Sequence, residues 1–238
     1  MSRKTLIALD LDGTITAPRT KIEEKNLLFL KELSRSHRIV IIGAGYYERI
    51  IAQAGFFPCD VLGNYGMQHA EYSEREKKHI LIKNDMQAVD RENVLKCADM
   101  VFEHFELSQP QGDGVVFFPS GCFSLALLGT HAKYEDKMLF DPTKEKRRKI
   151  HEYASGLFSD YSLYLGGSTS IDAVPRHYNK YKALCDYCEM HGIAKEDVIF
   201  CGDDYGKYGN DEPVYLSDFD FLKIDDYRTL PDALSCLI

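Results

Sequence analysis

The short stretch TLIAL, residues 5–9, runs directly into Asp10-Leu11-Asp12-Gly13. An apolar run of this length reads as a strand buried on both faces. Two carboxylates at its very end mark the edge where an open α/β sheet gathers its ligands. The segments beyond Gly13 keep to that plan. Apolar residues at helical spacing over 22–33 precede a second apolar strand at 38–42 (RIVII), which ends on Gly43-Ala44-Gly45. A helix over 46–54 leads to a third strand and turn over 61–66, and residues 67–72 alternate like an edge or hairpin strand. Strand, helix, strand, helix, strand predicts a parallel sheet with helices on both faces.

The middle of the chain departs from this rhythm. A helix is expected over 92–105, with Val94, Leu95, Ala98, Val101, Phe102 and Phe105 on one side. Strand-like runs at 115–118 and 122–128 flank Pro119-Ser120-Gly121, a hairpin signal. Another helix (143–158) and two more strands (161–165 and 170–174) come next, which together predict a separate α+β unit. The α/β rhythm then resumes with a helix over 180–191 stopped by Gly192, the strand DVIFCGDD, a short strand at 221–224 and a C-terminal helix. A length of 238 residues suits two domains. The expected division is a core of 1–80 with 175–238, and an inserted domain of 81–174.

A formal net charge of -8 argues against a nucleic-acid partner, since phosphate backbones select basic faces. It leaves room for a small phosphorylated ligand held at one local electropositive point. The dense basic run 144–149 (KEKRRK) carries a helical pattern and reads as a solvated helix face. Residues 1–10 hold too few apolar side chains for a signal peptide or a membrane span. Seven scattered cysteines suit reduced thiols in a cytoplasmic setting, and Cys185 and Cys188, a CxxC inside a helix, read as packing residues.

Four polar clusters fall at predicted strand ends or just past the insertion: Asp10 with Asp12, Gly43 to Gly45, Lys180, and Asp203-Asp204 with Asn210-Asp211. Distant in sequence, they meet at one sheet edge in this architecture. Carboxylates drawn from several strands make a hard, oxygen-rich site suited to Mg²⁺. Beside a cation and a lysine, one carboxylate can attack phosphorus while a second, two residues on, moves protons. A calcium loop is a poor alternative, because counting from Asp10 puts Ile15 and Lys21 where an EF-hand needs glycine and glutamate.

The segments DLDGT (10–14), Lys180 after Asn179, and GDD…GND (202–211) resemble motifs one, three and four of the haloacid dehalogenase-like superfamily. The insertion resembles its C2, type IIB cap. Within that group the chain most resembles the eukaryotic-type phosphomannomutases, through DGTITAPRTKI (12–22) and GGSTSID (166–172), over most of its length. The resemblance implies a Rossmann-like core with a parallel sheet, an inserted α+β C2-type cap, and Mg²⁺ as cofactor. It implies Asp10 as nucleophile and metal ligand, and Asp12 as acid/base with its backbone carbonyl on the metal. Asp203 would complete the metal site with support from Asp211 and Asn210, and Lys180 would bridge Asp10 and the phosphate. Arg19, Ser170 and Asp172 match sugar-phosphate contacts, while Gly43, Ala44 and Gly45 occupy the phosphate loop of motif two.

Two departures bear on function. Motif two offers a Ser or Thr hydroxyl to the transferring phosphate, and this chain has Gly45 there, leaving the task to backbone amides at the next helix N-terminus. In the cap, three arginines hold the distal phosphate of a hexose bisphosphate, and a gapless pairing puts Pro119, Thr130 and Lys137 at those positions. A weak distal clamp lets water compete for the phosphorylated aspartate. The expected activity is therefore Mg²⁺-dependent hydrolysis of a small phosphorylated metabolite, a sugar phosphate foremost. The alternatives are a phosphohexomutase with altered cap contacts and a catalytically weak phosphosugar-binding protein. The expected partners are the substrate and, by resemblance, a second copy joined cap to cap, with no nucleic acid and no membrane.

Overall fold

A computed structural model describes residues 4–107 and 109–237. Its first half carries β1 (Leu6–Leu9), α1 (Glu24–Leu33), β2 (Arg38–Ile42), α2 (Tyr47–Gln53), β3 (Asp60–Gly63), β4 (Gln68–Ser73), β5 (Lys78–Asn84) and α3 (Arg91–His104). Next come β6 (Val115–Phe117), β7 (Phe123–Ala126), α4 (Tyr134–Phe140), α5 (Glu145–Leu157), β8 (Tyr161–Gly166) and β9 (Ser170–Pro175). The chain closes with α6 (Lys180–His191), β10 (Val198–Gly202), α7 (Glu212–Tyr215), β11 (Asp220–Lys223) and α8 (Leu230–Ala233). These elements form two compact units. One runs to Asp85 and resumes over Asn179–Lys207 and from Asp211 onward; the other is Met86–Tyr178 with Tyr208–Asn210.

In the first unit, seven strands lie in the order β11-β10-β1-β2-β3-β4-β5. The five from β11 to β3 are parallel, and β4 and β5 are antiparallel additions at one edge. The twofold alternation of a strand explains the layers. Ile7 and Leu9 of β1 join Ile39, Ile41 and Val61 under Leu30 and Leu33 of α1 and Ile50 of α2. Leu6 and Ala8 face the other way, with Val40, Ile42 and Leu62, against Ala183, Leu184 and Tyr187 of α6. Both faces of the central strands are thus covered, which is why they read as continuous apolar runs.

The second unit is an antiparallel sheet in the order β6-β7-β9-β8, backed by α3 and α5. Phe123, Leu125, Leu163, Leu165, Ile171 and Ala173 alternate into its core against Val94, Ala98, Val101, Ile150 and Ala154. Ser124, Ser170 and Asp172, at the intervening positions, fall on the opposite sheet face.

The mixed α/β class is as expected from sequence, with local differences. The expected boundary at 80/81 falls inside β5, which pairs with β4 and carries the first unit on to Asp85. The stretch KHILIKN conceals that strand because most of it is exposed at the sheet edge, where charged residues discourage further pairing. The basic run is not wholly solvated. Arg147 is buried, donating to Asp141 at 3.1 Å and to the carbonyls of Gly166 and Gly167 at 3.0 and 2.7 Å. Among the described residues no helix is long and apolar enough to cross a membrane.

Candidate active site

β1 ends one residue before Asp10, whose N–H still donates to Cys201 of β10 at 2.9 Å. This last rung of the ladder sets Asp10 beside the end of β10, where Asp203 begins the next loop. The turn after Asp10 closes tightly, with Gly13 N–H donating to Thr16 at 2.7 Å. Gly13 holds φ +100°, and a Cβ on it would collide with the Asp203 carboxylate, so glycine is required where the two loops meet. Thr14 then fixes Asp203 by donating its hydroxyl at 3.1 Å.

Lys180 enters from a third direction as the first residue of α6. Asn179 caps that helix by accepting from Lys182 N–H at 2.7 Å. The Lys180 ammonium is fully buried and donates to Asp10 Oδ1 at 2.5 Å and to Asp211 Oδ1 at 2.7 Å. Asp211, also fully buried, accepts from Asp204 N–H at 3.0 Å through its other oxygen. Lys180 therefore bridges two carboxylates, one of them Asp211.

Three carboxylates surround one ammonium, and the imbalance is visible in their acidities. Burial pushes the Asp10 carboxyl well up; Lys180 opposes this, while Asp211 and Asp203 add to it. Asp203 is pushed up to about 6, again by burial first and then by Asp211. Burial works against the Lys180 ammonium, but Asp10 and Asp211 outweigh it and hold the charge more firmly than in water. Ligand oxygens of Asp10, Asp203 and Asp211 lie within 4.8 Å of one another. An all-carboxylate donor set carrying excess negative charge fits a hard divalent cation such as Mg²⁺.

The Asp12 carboxylate is engaged elsewhere. It accepts from Arg19 N–H at 2.7 Å, Gln53 Nε2 at 2.6 Å and Arg49 Nη2 at 3.1 Å. Burial alone would raise its pKa, but these donors hold it below the ordinary carboxylate range. Arg19 contributes its backbone here, and its side chain is exposed.

Gly43, Ala44 and Gly45 follow β2 as expected, with Gly43 accepting from Tyr65 N–H and Gly45 from Asn64 N–H. The helix expected to offer its N-terminal amides is short, and Tyr47 N–H already donates to the Gln68 side chain at 3.2 Å. A Cβ on Gly45 would collide with Nε and Nη2 of Arg49. The guanidinium thus fills the space beside motif two. Arg49 and Gln53 are functional candidates outside the motifs that the sequence makes conspicuous. Their signal is the i, i+4 spacing of 49 and 53, which puts both on one face of α2 just past Gly45. Arg49 donates to Gln53 at 2.9 Å as well as to Asp12.

Ser170, Asp172 and Asn210 belong to the second unit. Ser170 donates to Gly166 at 2.8 Å, and Asp172 accepts from the Ser124 hydroxyl. Of the three cap positions paired with arginines, Thr130 accepts from Asp113 N–H at 3.1 Å and Lys137 donates to the Thr130 carbonyl at 3.3 Å. Pro119 is exposed.

A family model described as haloacid dehalogenase-like hydrolase matches residues 130–208. The chain is 26% identical over 227 residues to a phosphomannomutase of Dendrobium officinale, covering 90% of this chain and 85% of that one. A phosphomannomutase of Saccharomyces cerevisiae is 24% identical over 225 residues, covering 90% and 86%. Among solved structures, an IMP-bound variant of Plasmodium falciparum IMP-nucleotidase superposes with a TM-score of 0.71 at 14% identity, covering 98% of this chain and 68% of that one. A haloacid dehalogenase-like hydrolase from Bacteroides thetaiotaomicron gives 0.62 at 17% identity, covering 99% and 100%.

Proposed function

We propose, on the premise that similarity to haloacid dehalogenase-like hydrolases and phosphomannomutases indicates a phosphoryl-transfer enzyme, that this chain is a Mg²⁺-dependent phosphatase of a small phosphorylated metabolite. The observation that carries the reading is Lys180, buried between Asp10 and Asp211 with Asp203 in the same cluster. A divalent cation held by Asp10, Asp203 and Asp211 would supply charge neutralisation for the carboxylates and the incoming phosphate.

Lys180 engages Oδ1 of Asp10 and leaves Oδ2 as the nucleophile. In the first step Oδ2 bonds to phosphorus, the bond to the leaving oxygen breaks, and Asp12 gives that oxygen a proton. In the second step water bonds to the same phosphorus, the aspartyl bond breaks, and Asp12 takes the proton from water, releasing inorganic phosphate. Arg49 links these roles. Drawn onto the phosphate, its guanidinium takes over from the missing motif-two hydroxyl and gives up its bond to Asp12. Relieved of that donor, Asp12 takes up a proton from solvent more readily and has one to give to the leaving oxygen, and the carboxylate left by that transfer is the base that receives the proton from water.

Hydrolysis is favoured over isomerisation because Pro119, Thr130 and Lys137 replace the arginine clamp on the distal phosphate, and Lys137 lacks a bidentate fork. The second reading, a phosphohexomutase, draws on the curated phosphomannomutase relatives, which this chain matches over 85% of the length in one case and 86% in another. The names of the relatives suggest hexose monophosphates and nucleoside monophosphates as substrate classes to try first. A reducing, cytosolic setting suits seven cysteines that are all free thiols. The test measures phosphate release and isomerisation across both substrate classes, with and without Mg²⁺ and a hexose bisphosphate. Mg²⁺-dependent phosphate release without isomerisation is expected. Isomerisation that requires the bisphosphate would replace this reading with the mutase.

A further inference from the structure

The opposite edge of the same sheet carries a second constellation that phosphoryl transfer does not use. His69 and Glu71 stand two residues apart on β4, so they share one face, and that face meets the end of α6 at Tyr187 and His191. The ligand atoms of His69, Glu71 and His191 all lie within 4.8 Å of one another. Glu71 Oε1 is 3.7 Å from His69 Nε2 and 3.4 Å from His191 Nε2.

Hydrogen bonding within the trio does not explain this convergence. His69 is only 3% exposed, and its Nε2 has no hydrogen-bond partner among the described residues, since 3.7 Å is too long for one. His191 Nε2 lies 3.3 Å from Arg38 Nη2. A guanidinium can only donate, so this nitrogen presents its lone pair, the form in which imidazole binds metals. The same nitrogen lies 3.4 Å from the Glu71 carboxylate oxygen, two acceptors that repel unless a cation sits near them. Arg38 plays that part from the side, anchored to Asp60 at 2.7 Å and partly exposed.

We infer that His69, Glu71 and His191 form a second metal site, taking a zinc-class divalent cation through two imidazoles and one carboxylate with an open fourth position. Tetrahedral zinc with bonds of about 2.0–2.1 Å puts its ligand atoms about 3.3–3.4 Å apart, close to the two Glu71 separations. The last turn of α6 adds the negative end of its dipole, which favours a cation beside His191. On binding, Arg38 gives up His191 and keeps Asp60.

The test is a Co²⁺ titration of the whole protein in millimolar Mg²⁺, which occupies the carboxylate cluster, with visible absorption as the readout. One saturable equivalent with tetrahedral d–d bands is expected, displaced by Zn²⁺. His191→Gln and Glu71→Gln should each weaken Co²⁺ binding by at least about 10–100-fold, the loss that even an outer-shell partner causes. Asp203→Asn should leave the bands in place. Absence of a saturable band overturns the site, as does a band that survives both substitutions or vanishes in Asp203→Asn. Circular dichroism of each variant shows that the fold is kept, and Glu71→Gln, at a half-exposed position, is the milder of the two.

Discussion

One helix ends in both clusters, yet the two clusters treat charge in opposite ways. α6 begins with Lys180 among Asp10, Asp211 and Asp203, and finishes with His191 beside Glu71 and His69. Twelve residues of helix separate the ends by about 16 Å. At the carboxyl edge, fixed acids exceed the one buried base, and the deficit is for a hard cation. At the amino edge the donors are mostly neutral nitrogens, and an arginine already stands where a cation belongs. The first arrangement suits a metal that must meet phosphate oxygens, and the second a softer ion held for its own sake. Both ends are placed by a single helix, packed on the sheet through Ala183, Leu184 and Tyr187.

The largest way to break this contrast is Asp10→Asn. It should reduce phosphate release by roughly 10³-fold or more and leave Co²⁺ binding at His191 unchanged. Residual activity near the parent's would remove Asp10 as nucleophile. Lys180→Met should come next, because it strands Asp10 and Asp211 as buried, uncompensated acids. A loss of about 3–5 kcal/mol in urea unfolding is expected. A variant as stable as the parent would contradict the charge imbalance around Lys180.

Arg49→Ala sharpens the comparison from within the active edge. Losing a charged hydrogen bond to phosphate costs about 1.5–3 kcal/mol, or roughly 10–100-fold in kcat/KM. The pH–rate profile should shift with it, since Asp12 loses a donor that keeps its pKa low. An unaltered profile would confine Arg49 to packing. A smaller effect is the pH dependence of Mg²⁺ stabilisation. Asp203 titrates at about 6 against an ordinary 3.8, so its neutral form favours the folded chain, and that contribution fades as pH rises through about 6. The metal-free protein is therefore penalised above that pH, where the cation binds best. Saturating Mg²⁺ should raise Tm by about 5–10 °C near pH 7.5 and by much less near pH 5. Equal shifts at both would contradict the assignment. Smallest of all, His191→Gln should change metal-free stability by under about 1 kcal/mol, with phosphate release intact.

The sequence discloses the active edge better than the rest because of how that edge is built. Asp10, Lys180 and Asp203 each sit at or just beyond an element end, so placing the elements places the residues. Arg49 and Gln53 act sideways along a helix toward Asp12, and their role depends on the space left open by Gly45. His69, Glu71 and His191 are farther still from view, since more than 100 residues and an entire inserted unit separate β4 from the end of α6. The apolar strands are legible because both their faces are covered, whereas β5 hides behind lysines that serve an exposed edge. Arg147 misleads for the opposite reason: it has the composition of a surface run and the contacts of a core residue.

The contact between Gly45 and Arg49 ties a change at either position to the other. A serine at 45 meets the guanidinium, the far end of a flexible side chain, so it is accommodated when Arg49 turns aside and loosens its hold on Asp12. Shortening Arg49 first leaves the phosphate with neither hydroxyl nor arginine. The two positions share one space, so effects at 45 and 49 should be non-additive. Positions 45 and 49 in this chain thereby act as one two-position unit.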